Sequence, residues 1–415
     1  MIKLKNKFNC CGCELCAEVC TKQAIKMTED DRGFLYPKVD NKLCNNCGRC
    51  EQVCPMLHVK EARRPEHTYA VKNKDLSIRM DSSSGGVFSI FCEHIIKNGG
   101  VVYGAVFDTK WNVRHARIEK IEDIHLLRGS KYVQSRMSGI YASVKADLKS
   151  GIPVLFSGCH CHIAALHSYL KCSYDNLLTV DVICGGVPSP RIWKEYLAEE
   201  IAAHRAANGG STVSLSLNYT PLIKGVRFRD KSNGWRKFCF DLQLAEASAD
   251  GKRSSVSTSY KTYIWKHVFM LSWLRGFISR PSCHKCRFRR GKSGANYTIA
   301  DFWCIECSHP EFSDDKGISM LLSYKDKIPS YIANDADFIE TSFQDAAQGQ
   351  ECVLNSHPYN PVSKIYFFLH DKCKMALTKT LHYCLIIDDL RLHCIKIIRA
   401  FKRPLYKIYL RLCQK

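Results

Sequence analysis

Long apolar runs are missing from this chain of 415 residues. None approaches the roughly 20 residues a membrane-spanning helix requires, so an integral membrane protein is not expected. The opening MIKLKNKF holds no apolar core of a signal peptide, which makes a soluble, cytoplasmic location the expectation. No G-x-G-x-x-G follows a strand-like stretch, and the standard dinucleotide fingerprint is absent. The GKS at Gly291–Ser293 is a decoy, because Cys286 stands where a phosphate loop places its first glycine. Acidic residues are scarce as well: 40 Asp and Glu face 61 Lys and Arg, for a formal charge of +21. Such an excess suits nucleic acid or an acidic surface. No nucleic-acid-binding motif accompanies it, however, and nucleic acid is not expected as a partner.

Cysteine is abundant where these features are not, with 24 residues in the chain. Cytosolic thiols are kept reduced, so clustered cysteines there point to metal or redox chemistry rather than disulfides. The run NCCGCELCAEVC reads C-x2-C-x2-C-x3-C through Cys10, Cys13, Cys16 and Cys20. LCNNCGRCEQVCP repeats it through Cys44, Cys47, Cys50 and Cys54, followed by Pro55. This is the two-cluster bacterial ferredoxin spacing, in which the fourth cysteine of each run crosses to the other cluster. It assigns Cys10, Cys13, Cys16 and Cys54 to one [4Fe-4S] cluster and Cys44, Cys47, Cys50 and Cys20 to a second. Cys11 is the spare thiol, and Thr21 replaces the Pro that often follows the first run. A pair of zinc knuckles is the competing reading, but zinc sites seldom carry two tandem copies of this spacing. Each oxidised cluster with four thiolates carries roughly −2, so two or three clusters would remove about 4 to 6 positive charges and leave the protein basic.

The polar stretch His58–His67 reads as a linker. From about Thr68, strand-like segments (GGVVYGAVFD, GIPVLFSG, LLTVDVIC) alternate with helix-like ones (CHIAALHSYLK, RIWKEYLAEEIAAHR), which predicts an α/β domain with some parallel pairing. The expected organisation is an α+β ferredoxin-like dicluster domain over 1–60, an α/β domain over 68–330 and a helical tail over 361–415. In the tail, Ile387, Leu390, Cys394, Ile397 and Phe401 fall on one helical face, Arg399, Lys402 and Arg403 fall largely off it, and Pro404 is expected to bend or end the helix. Such a tail either packs on the domain with a solvated basic side or touches a partner or the inner face of a membrane as a peripheral anchor.

A second set of cysteines lies in FSGCHCH, DVICGG, RPSCHKC and FWCIEC. The pairs Cys283/Cys286 and Cys304/Cys307 have zinc-ribbon spacing, and on spacing alone a zinc site and a cluster stand equal. The Cys159–His162 loop offers two thiols and two imidazoles that suit a metal. Ser82–Gly86 (SSSGG) supplies small residues at a helix start, where backbone donors suit a pyrophosphate; Lys131 and Tyr132 of GSKY add a charge and a ring. The plainer reading of these is a glycine turn and a surface lysine.

Taken in order, SSSGGVFSIFCEHIIKNGGVVYGAVFD, GSKYVQS, PVLFSGCHCH, VDVICGGVPSP, RPSCHKC and YTIADFW resemble the coenzyme F420 hydrogenase/dehydrogenase beta-subunit family, in its bacterial branch with an N-terminal ferredoxin domain. The resemblance runs from the first cysteines to about residue 330. It implies FAD, with Ser84, Gly85, Gly86, Lys131 and Tyr132 as candidate contacts, beside a third [4Fe-4S] cluster held by Cys161, Cys184, Cys283 and Cys286. This displaces the zinc ribbon. His160 and His162 stand where the family has Pro and Gln, and Ala300 stands where Gly is usual. The implied activity is electron transfer between a two-electron donor or acceptor (F420-like, nicotinamide or organic), FAD and the clusters. No side chain is required as nucleophile or base, so no catalytic residue is assigned; Lys131, the loop histidines and Asp301 are candidates for electrostatic tuning only. Two alternatives remain open. One is a ferredoxin-fed flavin reductase acting on a surface-polysaccharide or lipid-linked intermediate; the other is a non-catalytic electron-transfer subunit. The expected partner is a redox protein or a small-molecule electron carrier.

Overall fold

The computed structural model describes residues 1–207, 223–247 and 253–413, with side chains of the last helix described only as far as residue 396. Two cysteine runs open the chain. Each leads through two left-handed residues into a single helical turn: Gly12 (φ 72°) and Glu14 (φ 63°) before Leu15–Glu18, and Asn46 (φ 57°) and Gly48 (φ 74°) before Arg49–Gln52. Between them β1 (Ile25–Glu29) and β2 (Leu35–Val39) form an antiparallel hairpin.

Residues 68 onward build a mixed sheet of eight strands. These are β3 (His67–Asn73), β4 (Val101–Phe107), β5 (Val113–Ile118), β6 (Val154–Cys159), β7 (Leu177–Val182), β11 (Tyr297–Asp301), β12 (Ser319–Ser323) and β13 (Ala336–Glu340), in the order β13-β3-β12-β11-β7-β6-β4-β5. The inner strands β4, β6, β7 and β11 are parallel neighbours, and the outer pairings are antiparallel. Buried on both faces, the parallel strands read as apolar runs such as Val154–Phe156 rather than as alternation. The helix α1 (Val87–Lys97) packs Val87, Ile90, Phe91 and Ile95 on one face; α2 (Ile140–Lys149) and α3 (His160–Leu170) cover the other with Tyr141, Val144, Ile163 and Leu166. A second, antiparallel sheet of β8 (Ile223–Asp230), β9 (Cys239–Ala247) and β10 (Arg253–Tyr263) shares an aromatic core with α4 (Pro190–Ala207) and α5 (Val268–Leu274), centred on Trp193, Phe228, Phe240 and Phe269.

The last helix, α6 (Leu377–Cys413), contains Pro404 and does not end there. Its packed face also differs from the one read in the sequence. Leu377, Leu381 and Cys384 are buried, while Leu390 is 62 % exposed and Cys394 is exposed. The register is pulled round by Asp388, which is buried and accepts hydrogen bonds from Arg275, Asn360 and Arg391. Ile397 and Phe401 of the predicted face lie outside the described side chains. Among the described residues no helix is long and apolar enough to cross a membrane.

The cysteine-rich segment is docked on the sheet domain by two carboxylates. Glu14 is 5 % exposed and accepts from Arg136 Nε (2.8 Å) and Nη2 (3.1 Å) and from the Met137 amide (3.0 Å). Glu18 accepts from the amides of Ala142 and Gly139 at the start of α2, where an anion complements the helix dipole. Leu15, Val53 and Met56 bury themselves with Met137, Tyr141 and Phe288 in the same contact. The stretch after it is strapped down as well: Arg63 Nη2 donates to the Ala295 carbonyl at 2.7 Å.

Removing Glu14 tests this docking. Glu14→Ala should weaken it by about 2 kcal/mol, the scale of hydrogen bonds to a charged group, read as faster trypsin cleavage after the exposed Arg63. Glu14→Gly should lose about 1 kcal/mol less, because glycine adopts the left-handed backbone there without strain. Equal cleavage in wild type and both variants would show that the carboxylate does not hold the segment.

Candidate redox site

Among the described residues no three His, Cys, Asp or Glu side chains converge closely enough to bind a single metal ion. The cysteines instead ring three cavities, which is how thiolates stand around a cluster whose irons each take a separate ligand.

The first cavity gathers Cys10, Cys13, Cys16 and Cys54 with Cys11, Leu15, Met27 and Met56. The second gathers Cys20, Cys44, Cys47 and Cys50. In both, three cysteines of one run meet the last cysteine of the other. Backbone donors already face some of these sulfurs: Ile2 N reaches Cys50 Sγ and Ala24 N reaches Cys20 Sγ, each at 3.3 Å. The second site is the more open, since Cys47 is exposed and Cys44 partly so. The first is buried against the sheet domain.

The third cavity lies at the carboxyl ends of the parallel strands, the usual place for ligands in such sheets. Cys159 ends β6, Cys161 sits in the first turn of α3, Cys184 follows β7, and Cys283 and Cys286 come from the loop after Ile278. All five line the cavity, and Cys11 of the N-terminal run joins them. Cys159 and Cys184 share a hydrogen bond, as do Cys11 and Cys161. Within the first pair, the hydrogen bond from Cys159 draws Cys184 down to about 6. The Gly186 amide donates to Cys184 Sγ at 3.4 Å.

Buried nitrogen groups face this cavity. Arg289 lines it, is 4 % exposed, and donates to the Cys184 and Cys352 carbonyls; its Nε has no partner. No carboxylate pairs with it among the described residues. His160 also lines the cavity; its Nδ1 meets Asp181 Oδ2 at 2.6 Å, leaving Nε2 buried without a partner. Asp181 further accepts from Ser293 Oγ and Thr298 Oγ1, and these hydroxyls and His160 hold its carboxyl below the usual range despite burial. Unpaired buried guanidinium and imidazole nitrogens beside clustered thiols fit an anionic iron–sulfur group.

A larger cavity of about 420 Å³ adjoins it and shares Cys159, Cys184, His162, Gly186 and Val187 with it. Its rim includes Ser82–Ser84, Gly86, Lys131 and Tyr132. Gly85 lies outside this lining: its amide donates to Ser319 Oγ, and a side chain there would strike the Val71 carbonyl. Tyr132 stacks on Trp273 with centroids 4.0 Å apart, and Trp303 also faces the space. Burial draws Lys131 down to about 7, while its Nζ donates to the carbonyls of Leu127, Arg128 and Gly129. Arg229 holds Asp301 through both Nη atoms at 2.9 and 3.0 Å, and its buried Nε is unpartnered. Ala300 is part of the wall. An aromatic cavity with a helix start, Arg229 and Lys131 fits a ring system that carries phosphate.

The Cys304/Cys307 pair does not join Cys283 and Cys286. Cys304 packs against Gly349, Cys307 is exposed, and neither lines the cysteine cavity. Arg229, Arg289, Gln134 and Arg280 escaped the sequence reading. Gln134 and Arg280 do lie inside stretches singled out there, in SKYVQS and RPSCHKC.

Comparison with known proteins yields two findings. The family model of the 4Fe-4S dicluster domain matches residues 9–57. Among solved structures, a chain of the F420-reducing [NiFe] hydrogenase complex from Methanosarcina barkeri, determined with xenon, is similar at 15% identity, over 70% of this chain and 90% of that one, with a TM-score of 0.40. No curated protein matches. Residues 9–57 are thus similar to domains that carry two [4Fe-4S] clusters, and the chain is an iron–sulfur electron-transfer protein.

Proposed function

We propose that this chain is an iron–sulfur flavoprotein oxidoreductase that exchanges electrons between a two-electron partner and the clusters of its N-terminal segment. The partner would be an F420-like deazaflavin, a nicotinamide or an organic substrate. The observation that carries the reading is the shared wall: Cys159 and Cys184 face both the thiol-lined cavity and the large aromatic one. A bound flavin would supply the junction between two-electron and one-electron chemistry, and iron–sulfur clusters the one-electron steps.

The chain's own residues supply the rest. Cys161, Cys184, Cys283 and Cys286 would hold the central cluster, with Arg289 offsetting its charge. Ser82–Ser84 and the first turn of α1 would receive a pyrophosphate, and Tyr132 with Trp273 would flank the ring system. Arg229, fixed by Asp301, would offer Nε to an anionic group. The Cys10/Cys13/Cys16/Cys54 cavity shares Cys11 and Met56 with the central thiol cavity, which in turn shares Cys159 and Cys184 with the aromatic space. Little protein therefore separates these three cavities.

Iron and acid-labile sulfide on anaerobically purified chain should each come to about twelve, at four per cluster. Cys283→Ser and Cys286→Ser should each lower both to about eight. A wild-type count of about eight removes the central cluster from the proposal. For the flavin, Arg229→Lys keeps a charge against Asp301 but removes Nε. It should weaken FAD binding about tenfold, or about 1.4 kcal/mol, with the iron content unchanged. Failure of wild-type protein to bind flavin would instead favour a relay subunit without its own two-electron chemistry.

A further inference from the structure

Arg280 is the most fully buried cation of the chain's functional region, with no exposed surface. Its Nε donates to the Cys10 carbonyl (2.8 Å), Nη1 to Gln134 Oε1 (3.0 Å), and Nη2 to the Leu35 carbonyl (2.9 Å) and Cys10 Sγ (3.5 Å). Gln134 in turn donates to the carbonyls of Cys11 and Gly12. The ring of Tyr36 lies 4.3 Å from the guanidinium. All of these partners are neutral. Among the described residues no carboxylate pairs with Arg280, although removing a guanidinium from water costs several kcal/mol.

The charges that do reach it are chiefly sulfur. Its electrostatic partners are Cys10, the Tyr36 hydroxyl and Cys11 on the N-terminal side and Cys283 on the central side. Cys283 lies three residues along the same loop, and its amide donates to the Arg280 carbonyl at 2.9 Å. Gly12 is required for this approach, since a Cβ there would stand 2.6 Å from Nη1. One fixed cation therefore lies between two thiol-lined cavities, while the Cys20/Cys44/Cys47/Cys50 site is served by none of its contacts.

We propose that Arg280 is the shared counter-charge of the Cys10/Cys13/Cys16/Cys54 cluster and the central cluster, and that it sets the reduction potentials of both above the values they would have without it. A cluster gains one negative charge when it accepts an electron, so a fixed positive charge nearby favours the reduced form. Arginine suits the task because it stays protonated at every working pH. The central half of this inference rests on the proposed third cluster; the N-terminal half does not.

The test is a redox titration of the full chain, followed by electron paramagnetic resonance, for wild type, Arg280→Gln and Arg280→Lys. Signals are assigned with Cys54→Ser and Cys44→Ser chains, and iron is counted in each sample. Arg280→Gln should shift the first N-terminal cluster and the central cluster to lower potential by at least tenfold in the reduction equilibrium, about 59 mV for one electron. The second N-terminal cluster should stay within a fraction of that shift and serves as the internal control. Arg280→Lys should restore most of the wild-type potential, because it keeps the charge and loses only the planar hydrogen bonds. Equal shifts at all three clusters, or none at the first, overturn the proposal. So does an Arg280→Lys chain that shifts by the full tenfold, an outcome that keeps the proposal falsifiable if Arg280→Gln fails to fold. A wild-type iron count of about eight removes the central half together with the third-cluster reading, and a shift at the first cluster still upholds Arg280 there.

Discussion

The burial of arginine charge without carboxylate partners constrains the rest of this structure. Arg280 and Arg289 are both buried, and the hydrogen bonds they make to carbonyls and an amide do not cancel their charge. In a low-dielectric interior that leaves a standing cost, offset only by an anion close by. In the proposed arrangement the surrounding thiols would provide it on binding iron as thiolates. Cofactor assembly and folding would thereby be linked, since the negative charge that completed the clusters would also complete the solvation of the two guanidiniums.

The sheet determines where this happens. Three parallel strands, β6, β7 and β11, end side by side and deliver Cys159, Cys184 and Asp301 to one edge. The thiol cavity and the aromatic cavity both open from that edge, and their common wall follows from adjacent strands ending next to one another. The N-terminal segment then meets the edge from outside. Glu14 and Glu18 fasten it to Arg136 and α2, and Arg280 grips its Cys10–Gly12 backbone through Gln134. A segment that reads as an independent module is in fact held against the domain it would feed.

Legibility in the sequence followed the range of the interactions. Cysteine spacing is a local pattern with one chemical meaning, and the apolar runs of β4, β6 and β7 are equally local, so the dicluster motif and the α/β texture were visible at once. Arg280, Arg289 and Arg229 were not. In a chain with 61 basic residues, an arginine destined for burial looks like any other. Only contacts across the sequence, such as Arg280 to Cys10, distinguish it. The tail failed for a related reason. Its periodicity allowed two neighbouring faces, and the choice fell to the buried Asp388 with partners on other elements. His160 is a third case, a departure in a loop motif whose pairing with Asp181 needs two strand ends brought together.

The graded burial of the cysteines has a chemical consequence. Oxidation to sulfenic acid and beyond follows thiolate character and access. Of the cysteines at the two N-terminal sites, an oxidant arriving from solvent meets the exposed Cys47 first, then the partly exposed Cys44, while Cys13 and Cys16 are buried. Damage in air would therefore begin at the second N-terminal site and spare the buried Cys13 and Cys16 for longer.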